Sequence, residues 1–211
     1  MFMTRKNLTA RVNISPYCGV ITQEQFLFYE MRTTAKLLLE VCSDEEVVNR
    51  IIAENLYQYP SERSLRKVAL GCVRRLRVLD DMSLVEVIAT QPFDVAKQVC
   101  LYAMMKQNRL VCDFMLTVIG EKYRTHDDSF SKADLNAFFL RLQEQDDKVA
   151  SWSDSTITKI KQVLKRILLE NGYLEKGKED RLCPVLLHFV LENAIRNNGD
   201  ACMLPAFNQF A

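Results

Sequence analysis

Apolar residues return every three or four positions through most of this chain, and stretches that alternate strictly are rare. That is the pattern of amphipathic helices. Residues 1–21 break it, because Asn13, Ser15, Pro16 and Gly19 interrupt any regular period; they read as an arm. A first helix is predicted from Thr22, with Gln25 at the capping-box position, through FLFYEMRTTAKLLLEV. A second starts at Ser43, with Glu46 three residues on, and ends near Asn55. A third follows Pro60 with Ser61 as its N-cap, and a short fourth starts at Ser83 ahead of Glu86. A helical hairpin comes next, FDVAKQVCLYAMMK and RLVCDFMLTVIGEKY about Gln107-Asn108. These are the most apolar helices and are expected at the centre of the core. The loop THDDSF leads to Ser131, which caps a helix reaching about Leu142. The polar link QEQDDKVASW ends near Ser153, where a long helix, TITKIKQVLKRILLEN, begins, and Gly172 sits at its C-terminal cap. GYLEKGKEDRLCPV, two short arms around a polar centre, reads as a small hairpin. Pro184 opens a last helix, VLLHFVLENAIRN, stopped by Asn198-Gly199.

The expected fold class is all-α: a compact multi-helix globular protein of about nine helices, with helix-turn-helix-like units and one small C-terminal β-hairpin, or wing. An N-terminal helical region, 1–125, is expected to pack with a winged-helix-like region, 126–211, as one globular unit. Composition agrees. The 211 residues are 48% apolar, and six Gly and five Pro leave little turn material for a sheet-rich fold.

Charge changes the picture locally. The net charge is only +1, yet Ser61–Arg77, SERSLRKVALGCVRRLR, holds six Arg or Lys against one acid, Glu62. At 100° per residue, Leu65, Val68, Ala69, Cys72 and Leu76 form the buried stripe. Arg63, Lys67, Arg74 and Arg77 lie opposite, with Arg66 and Arg75 at the flanks. Like charges three and four apart repel by a few tenths of a kcal/mol, a cost that a merely solvated face avoids by mixing signs. With the capped helix before it, this helix reads as the second of a helix-turn-helix. The bland alternative is a face paired with acids such as Glu45, Glu46, Asp80 or Asp81.

A second patch follows from Ser153. The long helix buries Ile160, Val163, Leu164 and Ile167 and turns Thr158, Lys159, Lys161, Gln162, Lys165 and Arg166 outward. The hairpin adds Lys176, Lys178 and Arg181, diluted by Glu175, Glu179 and Asp180. Helix, link, long helix and hairpin is the order of a winged helix. The alternative is a hairpin that only closes the core around Leu182.

Other chemistry is not supported. THDD at 125–128 lacks the further His ligands of a metal phosphohydrolase, and no phosphate-binding glycine loop is present. Seven Cys without a C-x-x-C, and two His, give no zinc spacing and read as reduced, mostly buried thiols. His188 reads as a satisfied core residue, and Trp152 with the scattered Tyr forms no row for stacking bases. Val12–Gln23, the longest stretch free of charged residues, has twelve residues, whereas a membrane span needs ~20 apolar ones. The expected location is cytoplasmic and the expected state a monomer, with no cofactor, no metal and no catalytic residue.

The order of these pieces also resembles the BrxA family of BREX phage-defence systems. The resemblance rests on ITQEQFLFYEMRTTAKLLLE, NLYQYPSERSLRKVALGCVRRL, LVCDFMLTVIGEKYRT, WSDSTITKIKQVLKRILLENGYLE and LCPVLLHFVLENAI, which span nearly the whole chain. The family has been likened to NusB, an all-helical RNA binder, and is implicated in DNA binding. The resemblance implies a non-enzymatic part that touches nucleic acid, partner proteins or both; the first reading is an accessory component that binds duplex DNA, with other BREX proteins as further partners. An adaptor between BREX proteins and a NusB-like RNA binder are the alternatives.

Overall fold

A computed structural model describes residues 15–210 apart from Glu24, Cys42 and Lys176, and gives only the backbone of Lys178, Glu179 and Asp180. Eleven α-helices and one two-stranded antiparallel sheet make up the described fold, together with two 3-10 segments and a π-helical one. The helices are α1 (Phe28–Glu40), α2 (Asp44–Ala53), α3 (Glu62–Arg77), α4 (Met82–Thr90), α5 (Phe93–Gln107), α6 (Arg109–Phe114), α7 (Glu121–Arg124), α8 (Lys132–Gln145), α9 (Asp147–Ala150), α10 (Asp154–Glu170) and α11 (Phe189–Asn197). The expected all-α class with a small hairpin is what forms.

Most helix starts follow from local cap chemistry. The Ser43, Ser61 and Ser153 side chains accept from the backbone N–H groups of Glu46, Ser64 and Thr156. Ser131 and Asp134 close a reciprocal capping box. The N-cap of α4 lies two residues before the predicted Ser83, because Asp81 accepts from the Ser83 N–H at 2.8 Å and takes the cap itself. The polar link after α8 is not wholly irregular: Asp146 caps the short α9, which buries Val149.

Two starts were displaced by distant contacts. The helix predicted from Thr22 begins only at Phe28; Gly19–Thr22 is a 3-10 turn and residues 25–27 carry no helix. The helix predicted from Pro184 begins only at Phe189. The Gln98 side chain on α5 binds both the Leu186 carbonyl (2.9 Å) and the His188 N–H (3.0 Å), holding 186–188 open. His188 is therefore an N-cap rather than a core residue, its Nδ1 accepting from the Val190 N–H.

The core is one buried apolar cluster running from Ile21 to Phe207. Helix α5 is its spine, with Ala96, Val99, Cys100, Leu101, Tyr102, Ala103, Met104 and Met105 all buried, and α1, α3, α4 and α6 pack around it. Burial pushes the Cys72 and Cys100 thiols up to about 12, which leaves them unreactive. Not every cysteine is shielded, since Cys202 is exposed. Strands β1 (Leu174–Glu175) and β2 (Lys178–Leu182) pair with Leu174 opposite Leu182, and Gly177 supplies the positive φ of the turn. Ser129 bridges to Arg181 on the outer edge of β2, and the Leu182 N–H donates to the Asp128 carbonyl.

The sequence pattern missed the 3-10 segment Ala201–Phe207. It docks on the π-helical turn Met115–Gly120 between α6 and α7. Gly120 permits that approach: a Cβ there would meet the Pro205 Cβ, C and O atoms at 3.1–3.3 Å. Gly120→Ala should therefore lower stability by about 1–3 kcal/mol, read as a lower urea midpoint at unchanged slope.

Candidate nucleic-acid interface

The candidate surface is organised around Gln23 and residues 25–27, between the first 3-10 turn and α1. Leu27 has φ +55, a left-handed conformation that costs a bulky residue ~1–3 kcal/mol. Arg75 holds it in place. This arginine projects from α3 but is only 2% exposed. Its guanidinium donates to the Gln25 carbonyl (2.9 Å), the Phe26 carbonyl (3.0 Å) and Gln107 Oε1 (3.1 Å). The predicted role of Arg75 in contacting DNA is thereby corrected. It is an internal strut, because the chain entering α1 crosses the flank of α3 and needs donors for its non-helical carbonyls.

The two glutamines of this segment reach opposite ways. Lys67 of α3 donates to Gln23 Oε1. Arg166 of α10 donates to Gln25 Oε1 at 2.8 Å. The two basic helices thus converge on the same short stretch of chain. On α3, Arg63, Arg66, Lys67, Arg74 and Arg77 are exposed, as predicted, and so is Leu70. On α10, Lys159, Gln162 and Arg166 line a cleft of about 620 Å³ with Thr22, Gln23 and Gln25.

The remaining cations divide. Arg77 is engaged by Asp44 (2.6 Å), and Arg66 lies 3.8 Å from Glu62. Among the described ion pairs, the acid from another helix that reaches α3 is Asp44 in the first turn of α2, which is not one of the four the sequence put forward. Arg77 joins the last turn of α3 to the first turn of α2, so the two helices run antiparallel. Residues 54–61 between them exceed the ~3–4-residue turn of a helix-turn-helix. Lys161 faces away from the cleft: it donates to Asn136 Oδ1 on α8 (2.8 Å) and sits 5.3 Å over the Phe139 ring. Lys165 is only partly exposed. Lys176 and the Lys178 side chain lie outside the described residues. Arg181 is paired with Asp128 at 2.7 Å.

The sequence missed an aromatic feature. Tyr29 (71% exposed) and Phe93 (52% exposed), from α1 and α5, meet edge to face at 6.4 Å. Phe28 packs against both, with the Arg32 guanidinium 4.9 Å over Phe93 and Lys97 Nζ 5.6 Å over Phe28. A second cleft, of about 340 Å³, lies between Gln25, Phe28, Tyr29, Glu30, Lys97 and Glu170. Burial lifts the Glu170 carboxyl above the usual range, against the lowering effect of Arg166 and Lys97.

Fold and surface define a helical protein with a small β-hairpin, whose two basic helices flank one glutamine-bearing segment. Among the described residues no helix is long and apolar enough to cross a membrane. The BrxA family model matches residues 15–199, and the chain belongs to that family. It is 38% identical over 186 residues to the BREX protein BrxA of Bacillus cereus (strain H3081.97), covering 87% of this chain and 92% of that protein. The BREX protein BrxA of Escherichia coli O9:H4 (strain HS) is 25% identical over 186 residues, covering 88% and 87%. A crystal structure of an uncharacterized protein from Magnetospirillum magneticum aligns with TM-score 0.76 over 92% of this chain and 98% of that one. At 24% identity that likeness speaks to the fold alone.

Proposed function

We propose that this protein is a non-enzymatic, duplex-DNA-binding component of a BREX phage-defence system. The carrying observation is the convergence of α3 and α10 on Gln23 and Gln25. Lys67 and Arg166 each hold a glutamine of one short segment, which supports reading Arg63, Lys67 and Arg74 together with Lys159 and Arg166 as one basic track in a nearly neutral chain. Lysine, arginine and glutamine there position a phosphate backbone and carry little sequence information. The acids of the THDD loop, the one motif with a catalytic look, are committed to ion pairs, Asp127 with Lys122 and Asp128 with Arg181. On this reading α10 and the following hairpin act together as in a winged helix, the helix against the groove and the hairpin near the backbone. Duplexes of unrelated sequence should bind at low salt with similar affinity. Absence of binding, or structured RNA winning a direct competition, would overturn the proposal.

A second reading, docking to another BREX protein, has its own observation. Leu186 (86% exposed) and Phe189 (65% exposed) project from the stretch that Gln98 holds open. Exposed apolar residues fixed in this way are the usual anchors of protein interfaces. Co-purification of a BREX protein that survives nuclease and is lost in the double variant Leu186→Ser, Phe189→Ser is the result expected if this surface docks a partner.

A further inference from the structure

The two clefts along α10 differ in chemistry. The first, at Lys159, Gln162 and Arg166, is cationic and suits phosphate. One turn further on, at Glu170, the second sets two carboxylates and an exposed ring beside a single lysine, Lys97, with Gln25 lining both. We propose that the second cleft holds an unpaired nucleobase carrying an exocyclic amine (adenine, cytosine or guanine, not thymine) on DNA whose backbone lies in the first. This rests on the DNA-binding reading and names the form of DNA preferred.

Three features of the cleft support it. The Tyr29 and Phe93 rings stay in water although Phe28 anchors both, and Arg32 and Lys97 stack on the cluster and stiffen it. A rigid exposed ring offers a stacking surface to any base. Glu30 and Glu170 then supply acceptors, as a carboxylate does for the cytosine N4 amine. One Glu30 oxygen already accepts from Tyr59 (2.8 Å), which fixes the carboxylate and leaves its second oxygen for a ligand. The two carboxylates outnumber Lys97 and disfavour phosphate there, so the backbone stays at Arg166 and a base enters. Thymine carries no exocyclic amine and gains only the stacking. A base within a duplex cannot reach the cleft, whereas one that is already unpaired is cheap to extrude.

The test is fluorescence anisotropy with one duplex in four forms: fully paired, or carrying a single bulged cytosine, thymine or abasic residue. The cytosine bulge should bind about tenfold more tightly than the paired form, the thymine bulge should show a smaller gain from stacking alone, and the abasic bulge should stay close to the paired value. Tyr29→Ala, a surface change, should abolish that advantage and leave paired-duplex affinity unchanged, and Tyr29→Phe should preserve it. Equal binding of the cytosine-bulged and paired forms, or an advantage that survives Tyr29→Ala, overturns this inference and leaves duplex binding intact. If no form binds, both fall.

Discussion

Replacing Arg75 by methionine should destabilise the protein by about 3 kcal/mol or more, whereas Arg63→Gln should leave stability within about half a kcal/mol. Both residues are arginines of the same basic helix. Arg63 is exposed, and removing its charge strands nothing. Arg75 is buried, and its loss leaves the Gln25 and Phe26 carbonyls and the Gln107 side chain without the donor they share. A buried acceptor left unpaired costs its full desolvation penalty, about 1–3 kcal/mol each. The strained Leu27 backbone would also lose its tether. Urea unfolding should show Arg75→Met shifted by about 1 M or more at unchanged slope. DNA affinity should fall with it, because the segment that joins the two basic helices loosens. If Arg75→Met is as stable as the parent and loses only DNA affinity, Arg75 is a contact residue and not a strut.

The second large effect concerns the track itself. Neutralising Arg63, Lys67 and Arg74 on α3, or Lys159 and Arg166 on α10, should each weaken duplex binding, and the losses should combine. Each phosphate contact releases counterions and adds ~0.9 to the slope of log affinity against log salt. The α3 triple variant should therefore flatten the slope by about 2–3, and the α10 pair by about 1–2. Two separate patches would behave differently: one group of changes would remove binding and the other leave it untouched.

What could be read in advance divides by range. The Ser43, Ser61, Ser131 and Ser153 caps were legible because a hydroxyl or carboxylate meets an N–H two or three residues away. The starts of α1 and α11 were not, because Arg75 and Gln98 reach across the fold and claim the backbone of 25–26 and 186–188. The helical projection placed the basic residues of α3 well but left Arg75 at a flank. Only the chain crossing that flank decided which side was buried. The joining of α3 to α10 through Gln23 and Gln25, and the meeting of Tyr29 with Phe93, link parts of the chain that no local pattern connects.

The most direct measurement of the central claim is the salt dependence of duplex binding for the parent and for a fivefold variant, Arg63→Gln, Lys67→Gln, Arg74→Gln, Lys159→Gln and Arg166→Gln. All five side chains are on the surface, so the variant should fold. The parent should show a steep slope and the variant one shallower by about 4–5, with little binding left above ~100 mM salt. Equal slopes for the two proteins would contradict that claim.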